Sequence, residues 1–137
     1  GRIKHFISAF GEHVIAEEVE FAMQQSLAAC GAEITEFTVA PVVETSGELP
    51  YHEWFVEFSK EPNNKEYFAE LLDSHLQDKN SYYRDLRIGN VLQRLKVTVL
   101  PKGVFNNYMK SIGKLGGQNK FPRLTNDRNL VNAVLNS

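Results

Sequence analysis

Read from its residues, the chain is an α+β domain: a ferredoxin-like β-α-β-β-α-β sandwich, one sheet with helices on one face, followed by two extra C-terminal helices. Two observations lead there. The hydrophobic spacing switches repeatedly between a period of two and a period near 3.6, and the strand-like and helix-like stretches follow one another in that order. The length of 137 residues, 42% of them hydrophobic and nine of them Phe, suits a single core and a single domain spanning 1–137.

Ile3 to Ser8 (IKHFIS) is short, β-branched and aromatic, and the small residues Ala9 and Gly11 follow it, so it is expected to be the first strand. From Ile15 the positions Val19, Ala22, Met23, Leu27 and Cys30 are spaced by threes and fours, and Gly31 supplies a C-terminal stop. This predicts an amphipathic helix whose first turns carry Glu17, Glu18 and Glu20, acids that suit the positive end of the helix dipole. Ala32 to Val43 and Tyr51 to Ser59 are expected strands. In the second, Trp54, Val56 and Phe58 alternate with Glu53, Phe55 and Glu57. The polar stretch from Glu44 to Pro50 holds Gly and Pro, as a hairpin loop requires, so the two strands should be antiparallel.

Pro62 and Asn63 open a second helix with the stripe Tyr67, Phe68, Leu71, Leu72, His75 and Leu76, ending near Asn80. A short helix or turn over Tyr82 to Ile88 is broken by Gly89. Leu95, Val97 and Val99 then alternate in a fourth strand that Pro101 stops. Val104, Phe105, Tyr108, Met109 and Ile112 mark a third long helix. A glycine-bearing segment, Gly113 to Arg123, follows, and Asp127 to Leu135 forms a small terminal helix.

Composition removes several functions. A formal charge of −2 provides no broad attraction for nucleic acid or anionic lipid. No apolar run is long enough to cross a bilayer, and no signal peptide is visible, so a cytoplasmic setting and no membrane partner are expected. The single cysteine, Cys30, cannot form an internal disulfide; at a helix C-terminus it is expected to be buried and inert. His5, His13, His52 and His75 make no pair at metal-ligand spacing, so they are expected to be packed or solvated, with no metal site. Neither a dinucleotide fingerprint nor a phosphate loop is present. A ferredoxin-like RNA-binding module would need exposed strand aromatics beside a basic surface, and Phe55 is the one candidate.

Two stretches carry more than packing. Gly1 to Glu20 (GRIKHFISAFGEHVIAEEVE) places Gly-Arg ahead of a strand, then Gly-Glu-x-Val, then a Glu-Glu-Val-Glu helix start. It resembles the junction of adenylate-forming enzymes, where such a motif marks the hinge before a small C-terminal domain. Gly113 to Arg123 (GKLGGQNKFPR) is glycine-rich, then polar and cationic, and so suited to reach into a partner's site.

From Leu95 onward (LKVTVLPKGVFNNYMKSIGKLGGQNKFPR) the chain resembles the end of the Gretchen Hagen, or auxin-responsive, family of acyl acid amido synthetases. There a strand and a Lys-Gly-x-Phe helix start lead to a Gly-rich loop closing in Gln-x-Lys-x-Pro-Arg. Here these are Lys102, Gly103 and Phe105, then Gln118, Lys120, Pro122 and Arg123. The resemblance extends through LPYHEWFVEF and a Tyr-x-x-x-Arg stretch (Tyr82 or Tyr83, with Arg87), and is greatest to the bacterial branch. Plant members carry Arg-Arg-Lys-Asn where this chain has Ser8-Ala9-Phe10-Gly11, so nucleotide contacts from that stretch do not transfer.

The resemblance implies an ATP-dependent ligase. A carboxylic acid attacks the α-phosphate to give an acyl-adenylate and pyrophosphate, and an amine then displaces AMP to form an amide. The chain, which begins at Gly1 rather than Met, is then a mobile C-terminal lid. ATP and magnesium would bind mainly to an N-terminal adenylation domain, the lid's own partner. The lid turns about Arg2, Ile3 and Lys4, and alone it is expected to be inactive. Gly11, Glu12 and His13 are expected on the path of the amine.

Lys120 is the expected catalytic residue: a compact charge between a flexible Gly-rich segment and the stiff Pro122, able to stabilise negative charge building on the phosphates. Gln118 and Arg123 are expected to contact nucleotide, phosphate or the large domain, with a structural ion pair the other possibility for Arg123. An acyl-CoA ligase shares the junction motif, but its usual Pro-Lys-Thr-x-x-Gly-Lys ending is absent from this chain.

Overall fold

The computed structural model describes residues 6–7, 12–43, 45–113, 121–125 and 127–136. The elements run β1 (Phe6–Ile7), β2 (Val14–Ile15), α1 (Ala16–Cys30), β3 (Glu33–Val42), β4 (Tyr51–Lys60), α2 (Lys65–Lys79), α3 (Ser81–Ile88), β5 (Lys96–Val99), α4 (Val104–Ser111) and α5 (Asn129–Leu135). The α+β fold and its two extra C-terminal helices are as the residue pattern predicts.

Local chemistry explains the boundaries. At the start of α1, Glu18 Oε1 accepts the Ile15 N–H at 3.0 Å, and the helix ends on Gly31 at φ 64°, a left-handed position that favours glycine. Asn64 caps α2 by accepting from Tyr67 N. Asn80 ends α2 and at the same time caps α3, its Oδ1 accepting from Tyr83 N at 2.8 Å.

The main sheet has the order β3-β4-β5. As expected, β3 and β4 are antiparallel, with Phe37 opposite Val56 and Val39 opposite Trp54. β5 runs parallel to β4, pairing Trp54 with Val97 and Val56 with Val99. Parallel neighbours need a crossover, and α2 with α3 provides it. The ferredoxin plan inserts the first strand between these two, antiparallel to both. Here the described part of that strand, Phe6–Ile7, instead pairs with Val14–Ile15 in a separate two-stranded ribbon.

The sheet is covered on both faces, which corrects the expectation of helices on one face. On one side Phe37, Val39, Trp54, Val56 and Phe58 pack with Val19, Ala22 and Met23 of α1 and Phe68, Leu72 and Leu76 of α2. Phe37 stacks on Trp54, their centroids 5.7 Å apart and their rings nearly coplanar. On the other side Ala40 and Phe55 meet Leu100, Phe105, Phe121, Val131 and Val134. Phe55 is therefore buried, not exposed. The short C-terminal helices form the second layer, and the aromatic platform that an RNA-binding sheet requires is closed.

Candidate functional site at the junction and the loop base

Of the residues singled out by sequence, those that the structure describes fall at two places. At the first, Glu12 and Val14 are fully buried and His13 is exposed with φ 48°, a left-handed backbone uncommon for a non-glycine residue. The Glu12 side chain thus points inward. Its Oε2 lies 2.7 Å from Nε2 of His52 on β4, and a hydrogen bond joins the two. Asn80 Nδ2 donates to the Glu12 carbonyl at 2.9 Å and to Glu18 Oε1 at 3.0 Å. The His52 ring tilts against Tyr83 at 5.2 Å. Tyr83 donates its hydroxyl to Asp73 Oδ1 at 2.5 Å, and Arg87 Nε lies 3.0 Å from both Asp73 oxygens. Of the two tyrosines in the Tyr-x-x-x-Arg stretch, Tyr83 is the one in this network; Tyr82 is exposed. Burial, followed by the charge of Asp73, pushes the Tyr83 phenol well above its ordinary range.

The second place is the base of the glycine-rich segment. Gly103 stands at the N-terminus of α4 with φ 92°. The buried Glu57 of β4 accepts from Gly103 N at 3.0 Å and from Phe105 N at 3.3 Å. A strand carboxylate therefore caps a helix 46 residues later, satisfying free N–H groups and the positive end of the dipole. Phe105 and Tyr108 pack edge-on against Phe121, at 4.8 and 6.0 Å. The chain then runs along the outer edge of β3: Val39 N donates to Arg123 O, and Thr125 N donates to Val39 O, both at 2.9 Å.

Arg123 makes the ion pairs left open by the sequence. Nε donates to Glu20 Oε2 at 2.8 Å, Nη1 donates to Glu36 Oε1, and the guanidinium lies 4.9 Å from the Phe37 ring centroid. Partial burial works against the charge, but the two carboxylates outweigh it and hold Arg123 above its ordinary range. Arg2, Ile3, Lys4, Gly11, Gln118 and Lys120 lie outside the described residues.

Sequence reasoning missed three groups. Nothing local links Glu12 to His52. Glu57 left a signal, a carboxylate inside an apolar run, which alternation alone assigned to solvent. Asn80, a preferred capping residue next to Ser-Tyr-Tyr, was readable. Cys30 is half-buried, short of the expected full burial, and burial raises its thiol pKa. His52 is packed, and His75 meets Phe21 edge-on at 6.0 Å. Among the described residues no three His, Cys, Asp or Glu side chains converge as a metal site would require, and no helix is long and apolar enough to cross a membrane.

Comparison with known proteins gives two findings. The profile of the GH3 family C-terminal domain matches residues 17–129. Among solved structures, the fold is similar to a GH3.15 acyl acid amido synthetase, with a TM-score of 0.76 at 16% identity, over 100% of this chain and 26% of that one. It is also similar to an AtGH3.15 acyl acid amido synthetase in complex with 2,4-DB, with a TM-score of 0.73 at 17% identity, over 99% of this chain and 26% of that one. The chain thus spans about a quarter of the length of these structures. No curated protein matches in sequence.

Proposed function

This chain belongs to the GH3 family, as its C-terminal domain, and from that premise we propose that it is the mobile lid of an ATP-dependent acyl acid amido synthetase of the bacterial branch. The observation that carries the reading is the family match over 17–129, which takes in both the Lys102-Gly103-x-Phe105 corner and the Phe121-Pro122-Arg123 run. The full enzyme, working in the cytoplasm, joins a small carboxylic acid to an amine through an acyl-adenylate. The lid's partner is its own N-terminal adenylation domain, which holds most of the contacts to ATP and magnesium.

In this reading the chain turns about Arg2, Ile3 and Lys4 between the half-reactions, and His13, with Gly11 and Glu12, borders the entry of the amine. Lys120 stabilises the charge that builds on the α-phosphate and the departing pyrophosphate, with Gln118 in support. Two features support a role for this loop. Phe121 is sunk into the second core cluster and Arg123 is tied to the edge of β3, so the chain after Lys120 has a fixed base. Arg123, paired with Glu20 and Glu36 at the rim, reaches a phosphate by exchanging partners.

The test is Lys120→Ala in the full-length enzyme. Adenylation, followed by ATP–pyrophosphate exchange, should slow by about 10²–10³, the scale of losing one preorganised electrostatic contact. Amide formation from supplied acyl-adenylate should change far less. Equal losses in both half-reactions, or none in either, would reduce the loop to a docking surface.

A further inference from the structure

The segment that enters the domain is fastened from inside. Glu12 and His52 have 0% and 1% of their surface exposed, and a 2.7 Å hydrogen bond joins them. Burying such a pair is expensive: two apolar side chains of similar volume are often as stable or more so. His52 Nδ1, without a hydrogen-bond partner among the described residues, adds to the cost. What a directional bond provides, and apolar packing does not, is a single registration. The surroundings point the same way. Asn80 grips the Glu12 carbonyl, Val14 is sunk in the core, and between them His13 is held in a left-handed conformation that a loosely attached segment would relax.

We propose that the Glu12–His52 hydrogen bond is a pin registering the segment after the domain junction on the central strand, which makes Glu12 and His52 positioning residues for the amide-forming step. The pin stands on geometry alone; its link to that step rests on the lid reading above. A segment fixed at residue 12 confines the lid's rotation to the residues before it, and it presents the turn at His13 in one conformation to whatever passes there.

The test uses the full-length chain with Glu12→Ala, Glu12→Gln and the double variant Glu12→Leu/His52→Leu. Backbone amide hydrogen exchange over residues 12–15 reads the pin. Glu12→Ala and the double variant should speed it about tenfold relative to the β4 amides. Glu12→Gln, whose side-chain amide can accept from or donate to Nε2, should stay near wild type. The two half-reactions read the positioning role. In the two disrupted variants, amide formation from supplied acyl-adenylate should fall about tenfold further than pyrophosphate exchange, and Glu12→Gln should restore it.

Exchange at 12–15 that is unchanged, or that rises only in step with β4, overturns the pin. Protection lost while both half-reactions move together overturns the positioning role. If Glu12→Ala fails to fold, the volume-preserving double variant carries the same test. A wild-type chain without pyrophosphate exchange removes the lid reading and the positioning role with it, and the pin then stands or falls on hydrogen exchange.

Discussion

Two acid–base contacts anchor the ends of this domain, and they differ most in their access to water. Glu12 and His52 are enclosed, whereas the Arg123 side chain is 25% exposed and its partner Glu20 46%. Inside, a group that loses this contact has no solvent to replace it. At the rim either group regains water when its partner leaves. The inner contact therefore suits fixing a geometry. The outer one leaves room for the partner exchange proposed for Arg123.

The contrast can be broken by unfolding the 137-residue chain in urea. His52→Leu alone, which removes the imidazole from the buried Glu12, should cost about 3–5 kcal/mol, and Glu12→Leu/His52→Leu together should recover most of it. A single-variant loss below about 1 kcal/mol would put the inner pair in the same class as the rim.

Glu57→Ala should fall between the two. The carboxylate is buried, but what it leaves behind is a pair of backbone N–H groups, so a loss of about 1–2 kcal/mol is expected. Hydrogen exchange should show fraying in the first turn of α4 ahead of global unfolding. Protection there equal to wild type would mean that Gly103 and Phe105 do not depend on the cap.

Arg123→Ala should cost least, under about 1 kcal/mol in urea, since solvent replaces much of what Glu20 and Glu36 offer. A loss above about 2 kcal/mol would show that the rim behaves as interior and that Arg123 is too firmly held to exchange partners.

Much of the fold was legible because its signals are local. The stripe from Val19 to Leu27, the stop at Gly31, the helix opening after Pro62 and Asn63 and the hairpin loop before Tyr51 each lie within one element or its flanks. The layering was not. Phe55 was read as exposed because alternation says only that it faces away from Trp54, and α4 and α5, which cover it, come more than 45 residues later. The candidate site divides the same way. The Lys102-Gly103-x-Phe105 corner is visible as a motif, while the carboxylate that holds it sits in another strand.

By itself the sequence determined the kinds and order of the longer elements, though not the short strand β2, and the family-like corners at Gly103 and Arg123. Periodicity, glycine and capping residues act over a few residues and leave their mark there. Long-range packing settled that β5 takes the parallel place beside β4, that helices cover both faces, and that Glu12 meets His52, Glu57 meets Gly103 and Arg123 meets Glu20. Those partners are 40, 46 and 103 residues apart. Contacts at that distance depend on the closing of the whole core, and neither member of a pair carries a local trace of the other.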